Sequence, residues 1–240
     1  MTERTNAPRT WRFPRPLVED QLMLAGMIWV GFVITVLAVI FGIDRWSQIQ
    51  MSIWEQASKA IPWYVAFMSG YVMYQVIPMY VAHGKTRRDA TIEWGIFAGL
   101  FAVLAAVLST IGYALEWFLY WAMAWPHELD NEHFSTSDTA FGMMLIEALL
   151  QMVVWSAAGG LVGACVYRSS SYGWVALLPA GLLVSLSGVG TDAGPFAFVM
   201  GLLPDVTPDL LLAFPLAVIG AAVALAGLWV LMRDMPIVKR

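Results

Sequence analysis

The polar residues of this chain come in blocks, and apolar stretches of membrane length separate them. Six such stretches run at roughly 22–43, 61–82, 92–124, 140–166, 174–190 and 211–232. A helix that crosses a bilayer needs about 20 mostly apolar residues. The third stretch is too long for one simple crossing and is expected to tilt or to project beyond the bilayer. The fifth is short. Behind it comes SGVGTDAGPFAFVMGLLPDVTPD, whose apolar run from Pro195 to Leu203 cannot span and is bracketed by Gly, Pro and Asp. That is the pattern of a re-entrant hairpin, not of a seventh crossing. The prediction is an all-α membrane protein with six transmembrane helices in one domain, 22–240, and a re-entrant hairpin between spans five and six. Before it, in 1–21, Trp11 and Phe13 beside Arg12 and Arg15 suit an N-terminal interfacial helix. Pro14 and Pro16 interrupt that segment, so continuous helix is expected only from Leu17.

Composition narrows this further. Hydrophobic residues make up 60% of the 240 and charged residues 12%, where a soluble domain carries about a quarter. The bilayer is therefore the solvent to reason with. Net charge, -4, matters less than which side the cations occupy. Arg4, Arg9, Arg12 and Arg15 precede the first stretch, and Lys85, Arg87 and Arg88 follow the second. Arg168 follows the fourth, and Arg233, Lys239 and Arg240 follow the last. Six crossings put all of these on one face and leave only Arg45 and Lys59 on the other. The positive-inside rule then makes both termini cytoplasmic. Glu128, Asp130, Glu132, Asp138, Asp192, Asp205 and Asp209 make the outer side acidic. Trp117, Tyr120, Trp121 and Trp125 gather at the outer end of the third stretch, as an interfacial belt would. The N-terminus has no cleavage signature, so the first stretch is expected to stay in the membrane as an anchor.

Candidate chemistry is sparse. There is no GxxxxGK[ST], hence no phosphate loop in this chain, and no HExxH. His83, His127 and His133 lie in loops or at span ends. His127 and His133, with Glu128, Asp130 and Glu132, could form an extracellular metal site, but a solvated acidic loop is the expected reading, because their spacing fits no ligand pattern. No metal is expected. The lone Cys165 has no thiol partner and reads as a packing residue. Ser185 and Ser187 have no intramembrane histidine to activate them. The chain is therefore expected not to be an enzyme, and nothing suggests nucleic acid as a partner. Two carboxylates fall within apolar stretches: Glu147, two turns into the fourth, and Glu116, in the outer part of the third. An intramembrane carboxylate points to a proton relay or a substrate contact, unless it is hydrated or paired.

Small residues recur at four-residue spacing, at Gly95 and Gly99, at Ser156, Gly160 and Ala164, and at Gly220 and Ala224. Core packing within one subunit is the expected use, with a dimer seam as the alternative. Pro62 and Pro78 bracket the second span, and Pro179 and Pro215 interrupt the fifth and sixth. They mark candidate hinges.

The stretch HGKTRRDATIEW, 83–94, is the most ordered of the polar blocks. Gly84 suits a helix C-terminus. Thr86 suits the start of the next helix, with Asp89 three residues on as a capping-box partner. With helix resuming at Ala90, the order predicts a short, rigid, cationic helical elbow at the cytoplasmic face.

Around this block, the run IPMYVAHGKTRRDATIEWGIF resembles the signature that follows the second span in permease subunits of ABC-2 type exporters. The frame of six spans, cytoplasmic termini, N-terminal interfacial segment and late re-entrant stretch is similar to theirs across nearly the whole chain. The resemblance implies that His83, Gly84, Lys85, Thr86, Arg87, Arg88 and Asp89 form the coupling helix that fits a cleft in a separate ATP-binding subunit. Arg87 and Arg88 would pair there with carboxylates, and Trp94 would anchor the following helix at the interface. Leu17 to Leu22 would match the connecting helix. The loop 167–173, with Arg168, would be a second cytoplasmic contact. Gly188 to Pro208, with Pro195, Phe196, Phe198 and Pro204, would close the outer exit. The resemblance further implies two permeases with two ATPases in a bacterial-type cell membrane, ATP and Mg on the partner ATPase, no cofactor in this chain, and alternating access. Composition adds an amphiphilic or lipid-like substrate, with Phe67, Met73 and Glu147 as candidate pathway residues. The outward extension of the third span and the acidic 126–138 loop depart from the family pattern. Two other readings stay open: a self-sufficient secondary carrier or channel using Glu147, and a non-transporting assembly or sensor subunit.

Overall fold

The computed structural model describes residues 15–45, 52–126, 129, 139–186 and 210–233. All regular structure among them is helical: α1 Arg15–Asp44, α2 Ile53–Ser58, α3 Ala60–Tyr71, a π-helical stretch Val72–Val76, α4 Ile77–Ala82, α5 Arg87–Met123, α6 Phe141–Arg168, α7 Ser170–Leu186 and α8 Leu210–Arg233. Five helical stretches are long and apolar enough to cross a membrane: Met23–Ile43, Ile53–Ala82, Arg87–Met123, Phe141–Arg168 and Phe214–Arg233. The apolar part of α7, Ser171–Ser185, is shorter. These helices fit a multi-pass membrane protein.

Several boundaries differ from those the hydropathy pattern suggests, each for a local reason. Residues 17–22 do not form a separate helix, because α1 runs unbroken from Arg15 into the first apolar stretch. The second crossing begins at Ile53, not near 61. Ser52 caps α2, its hydroxyl accepting the Glu55 N–H at 3.0 Å. The segment 167–173 is not a loop: α6 continues to Arg168 and α7 starts at Ser170, with only Ser169, in extended backbone, between them. The third crossing is one helix of 37 residues, about 55 Å long at 1.5 Å per residue. It therefore outreaches the roughly 30 Å hydrocarbon core. The π-helical stretch lies just ahead of Pro78. A proline inside a helix lacks the N–H for the preceding turn and crowds its carbonyl, and a wider turn relieves both.

Packing centres on α6, which contacts α3, α5, α7 and α8. Small residues allow this. A methyl group at Gly159 would overlap the Ala66 carbonyl, and one at Gly163 would overlap that of Gly70. The backbones of α3 and α6 thus meet through Ala66/Gly70 and Gly159/Gly163, as small-xxx-small pairs permit. The stripe Ser156, Gly160 and Ala164 is buried in the same core, as its spacing suggests. Gly95 and Gly99 differ, since nothing lies within 4 Å of where their side chains would begin.

Candidate functional site

Two polar assemblies interrupt the apolar bundle, one at each end of α5. At its start, α4 closes on Gly84, which sits at φ 90°. The Gly84 N–H donates to Val81 O at 3.0 Å and the Lys85 N–H to Tyr80 O at 3.1 Å, the two bonds of a Schellman ending. His83 Nδ1 lies 2.7 Å from Met79 O. Thr86 then caps α5, its hydroxyl accepting the Asp89 N–H at 3.1 Å. No independent elbow helix forms: the block is a tight turn, and Arg87 and Arg88 occupy the first turn of the membrane helix itself.

The cations of this turn are already occupied to different degrees. Lys85 Nζ lies 2.6 and 2.8 Å from the two carboxylate oxygens of Glu93 and 4.2 Å above the Tyr80 ring. Glu93 is buried, its side chain only 7% exposed against 42% for Lys85, so the lysine neutralises a carboxylate the helix carries inside. Arg87 donates to the backbone oxygen of Arg233 at 2.9 Å, closing the end of α8. Arg88 is exposed and has no carboxylate partner among the described residues. Trp94 is not interfacial. It is 1% exposed, lies against Gly160, and donates its indole N–H to Ser69 O at 3.1 Å. Arg168 is exposed at the end of α6.

At the other end of α5, Glu116 is buried and holds the start of α2, accepting the Ser52 hydroxyl and, at 2.7 Å, the Trp54 N–H. Trp54 lies against Gly112 and donates its indole N–H to Ser109 O at 3.1 Å. Ser58 Oγ is 3.3 Å from the Tyr113 hydroxyl. Glu55, Glu116 and Glu147, all buried, lie within electrostatic reach of that hydroxyl. Carboxyls from α2, α5 and α6 thus each bear electrostatically on one phenol. Tyr120, expected in an aromatic belt, is fully buried, whereas Trp121 is 68% exposed.

No family model, no curated protein and no solved structure matches the chain. Its function has to be read from its own geometry.

A third feature is apolar. A cavity of about 570 Å³ opens between α3, α6 and α7, walled by Trp63, Phe67, Tyr71, Leu177 and Val184 over the Gly159–Gly163 floor. That is the size of a small-molecule site. Phe67 lines it, but Met73, fully buried in the core, does not. Glu147 belongs to the carboxyl cluster and not to the groove lining. Pro195, Phe196, Phe198 and Pro204 lie outside the described residues, as do His127, His133 and most of the acidic 126–138 loop. Among the described residues, no group of three His, Cys, Asp or Glu side chains is placed to hold a metal ion.

Glu55 and Glu93 are functional candidates that hydropathy reading passes over. Ser52-Ile53-Trp54-Glu55 carries the S-x-x-E spacing of a helix start, which would have flagged Glu55. Glu93 has no comparable local signal, because its partner Lys85 sits across the turn.

Proposed function

We propose that the chain is the membrane subunit of an ATP-driven exporter, moved by a separate ATPase that grips the 83–89 turn. One observation carries this reading: the turn is rigid at both edges. The Gly84 ending and the Thr86 cap join two membrane-crossing helices with no slack, so a push on Arg88 or His83 reaches α4 and α5 directly. A topological anchor would need the charges but not the caps. Lys85 strengthens the turn through Glu93, and Arg87 links it to α8, which leaves Arg88 and His83 as the groups free to meet an external protein.

In this reading the chain crosses the membrane six times, with α7 completing the fifth crossing, both termini in the cytoplasm and a re-entrant stretch before α8. Two copies work with two ATPases that carry ATP and Mg. Arg168 at the α6–α7 break is the second contact. The substrate is amphiphilic, and the apolar groove with Phe67 is its first candidate surface. The test is whether a phosphate-loop ATPase is encoded beside this chain and copurifies with it. Arg88→Glu should abolish the complex while leaving the chain folded in the membrane; a complex of undiminished yield sinks the docking assignment.

The carboxyl cluster supports a second reading, a proton-coupled carrier in which Glu147 takes up the proton. There Glu147→Gln abolishes transport, whereas the exporter keeps ATP-driven transport in that variant.

A further inference from the structure

We infer that Arg87, Arg88, Arg233, Thr91, Trp229 and Met232 form a binding site for the phosphate headgroup of an anionic phospholipid. These six residues line a cavity of about 430 Å³ where the start of α5 meets the end of α8. The inference needs only that α5 and α8 cross the membrane; it requires no ATPase, although Arg88 is the residue offered to one above.

Three guanidiniums converge on this one cavity, and among the described residues none has a carboxylate partner. Like charges gathered this closely repel one another unless an anion joins them. Arg87 spends one N–H on the Arg233 carbonyl, which fixes its direction and leaves its other donors available. A planar guanidinium matches a phosphate through paired hydrogen bonds. The backbone contributes as well. Arg87 and Arg88 are the first two residues of α5, so their N–H groups face outward with the positive end of the helix dipole.

Depth and apolar content select a lipid over a free anion. The cavity sits at the terminal turns of two apolar helices, the end at which a bilayer's headgroups are met. Trp229 is 49% exposed beside it, where indole rings favour the bilayer interface. Met232 is buried, at 2% exposure, and gives the cavity an apolar side for a glycerol backbone. Basic pockets between membrane helices take such headgroups. The cations place this face toward the cytoplasmic leaflet, which is the anionic one.

The test is native mass spectrometry of the full chain in detergent micelles doped with phosphatidylglycerol, phosphatidylcholine or inorganic phosphate. Wild type should retain one phosphatidylglycerol in preference to phosphatidylcholine. Arg88→Gln/Arg233→Gln should weaken that binding by roughly 30-fold, at about fivefold per lost cation. Arg88→Lys/Arg233→Lys, which keeps the charge but loses the paired hydrogen bonds, should bind between wild type and the double glutamine variant, which separates lost charge from lost fold. Arg45→Gln/Lys59→Gln, on the opposite face, should leave it unchanged. Equal retention of phosphatidylcholine overturns the inference, and so does undiminished binding in the double glutamine variant. Inorganic phosphate bound as tightly as the lipid would make this a free-anion site and overturn it too.

Discussion

The two ends of α5 handle buried charge in opposite ways. At the start, one buried carboxylate, Glu93, is neutralised by Lys85 directly across the turn. At the far end, Glu116 is held by a hydroxyl and a backbone N–H, and Glu55 and Glu147 join it around Tyr113. The same device serves both ends for packing. An indole lies against a glycine of the neighbouring helix, Trp94 on Gly160 and Trp54 on Gly112, and each donates to a serine carbonyl. The difference therefore lies in electrostatics, not in the way the helices meet. The start of α5 is closed by an ion pair, whereas at the far end a buried carboxylate is held by a hydroxyl and a backbone N–H.

The largest expected effects come from the shared packing device. Gly160→Ala and Gly112→Ala each drive a methyl into a buried indole ring. Overpacking of this kind costs about 1–3 kcal/mol or more, and both variants should lower the thermal midpoint in detergent to a similar degree. A large effect at one end only would break the symmetry.

Removing the polar partners should then separate the ends. Glu116→Ala strips the α2 start of two hydrogen bonds to a buried carboxylate, at about 3 kcal/mol. Glu116→Gln should recover part of that loss. Lys85→Ala leaves Glu93 buried without its cation. The cost is about 1–2 kcal/mol, below that of a fully buried pair because Lys85 is 42% exposed. Adding Glu93→Gln should restore most of it. If Lys85→Ala proves neutral in a thermal unfolding series, the joint at the start of α5 is not held by this pair.

The smallest effect is expected at Gly95, where a methyl meets nothing. Gly95→Ala should be neutral or gain up to about 1 kcal/mol of helix stability. A clear loss in the purified assembly would mean that a second copy packs there.

Much of this organisation was legible in the sequence because membrane helices obey simple rules of length and polarity. The start of α6, the excess length of α5 over one crossing and the caps at Gly84 and Thr86 all follow from local patterns. What was hidden depends on residues far apart in the chain. Lys85 with Glu93 and Arg87 with Arg233 are pairings that only the folded bundle brings about. Trp94 looks interfacial beside its cations, yet it is buried because Gly160 makes room for it. The N-terminal residues 17–22 look like a surface helix, but Pro16 falls in the first turn of α1, where proline is tolerated, and nothing later interrupts that helix. Met73 shares an apolar segment with Phe67 but turns inward, a distinction that hydropathy does not make.

The central claim is that an external ATPase works on the bundle through the 83–89 turn. ATP turnover of the reconstituted two-component complex tests it most directly, comparing wild type with Arg88→Glu at equal protein in the vesicle. The account predicts at least a tenfold loss of coupled turnover with the bundle still folded. Turnover and transport at wild-type levels in that variant would contradict it.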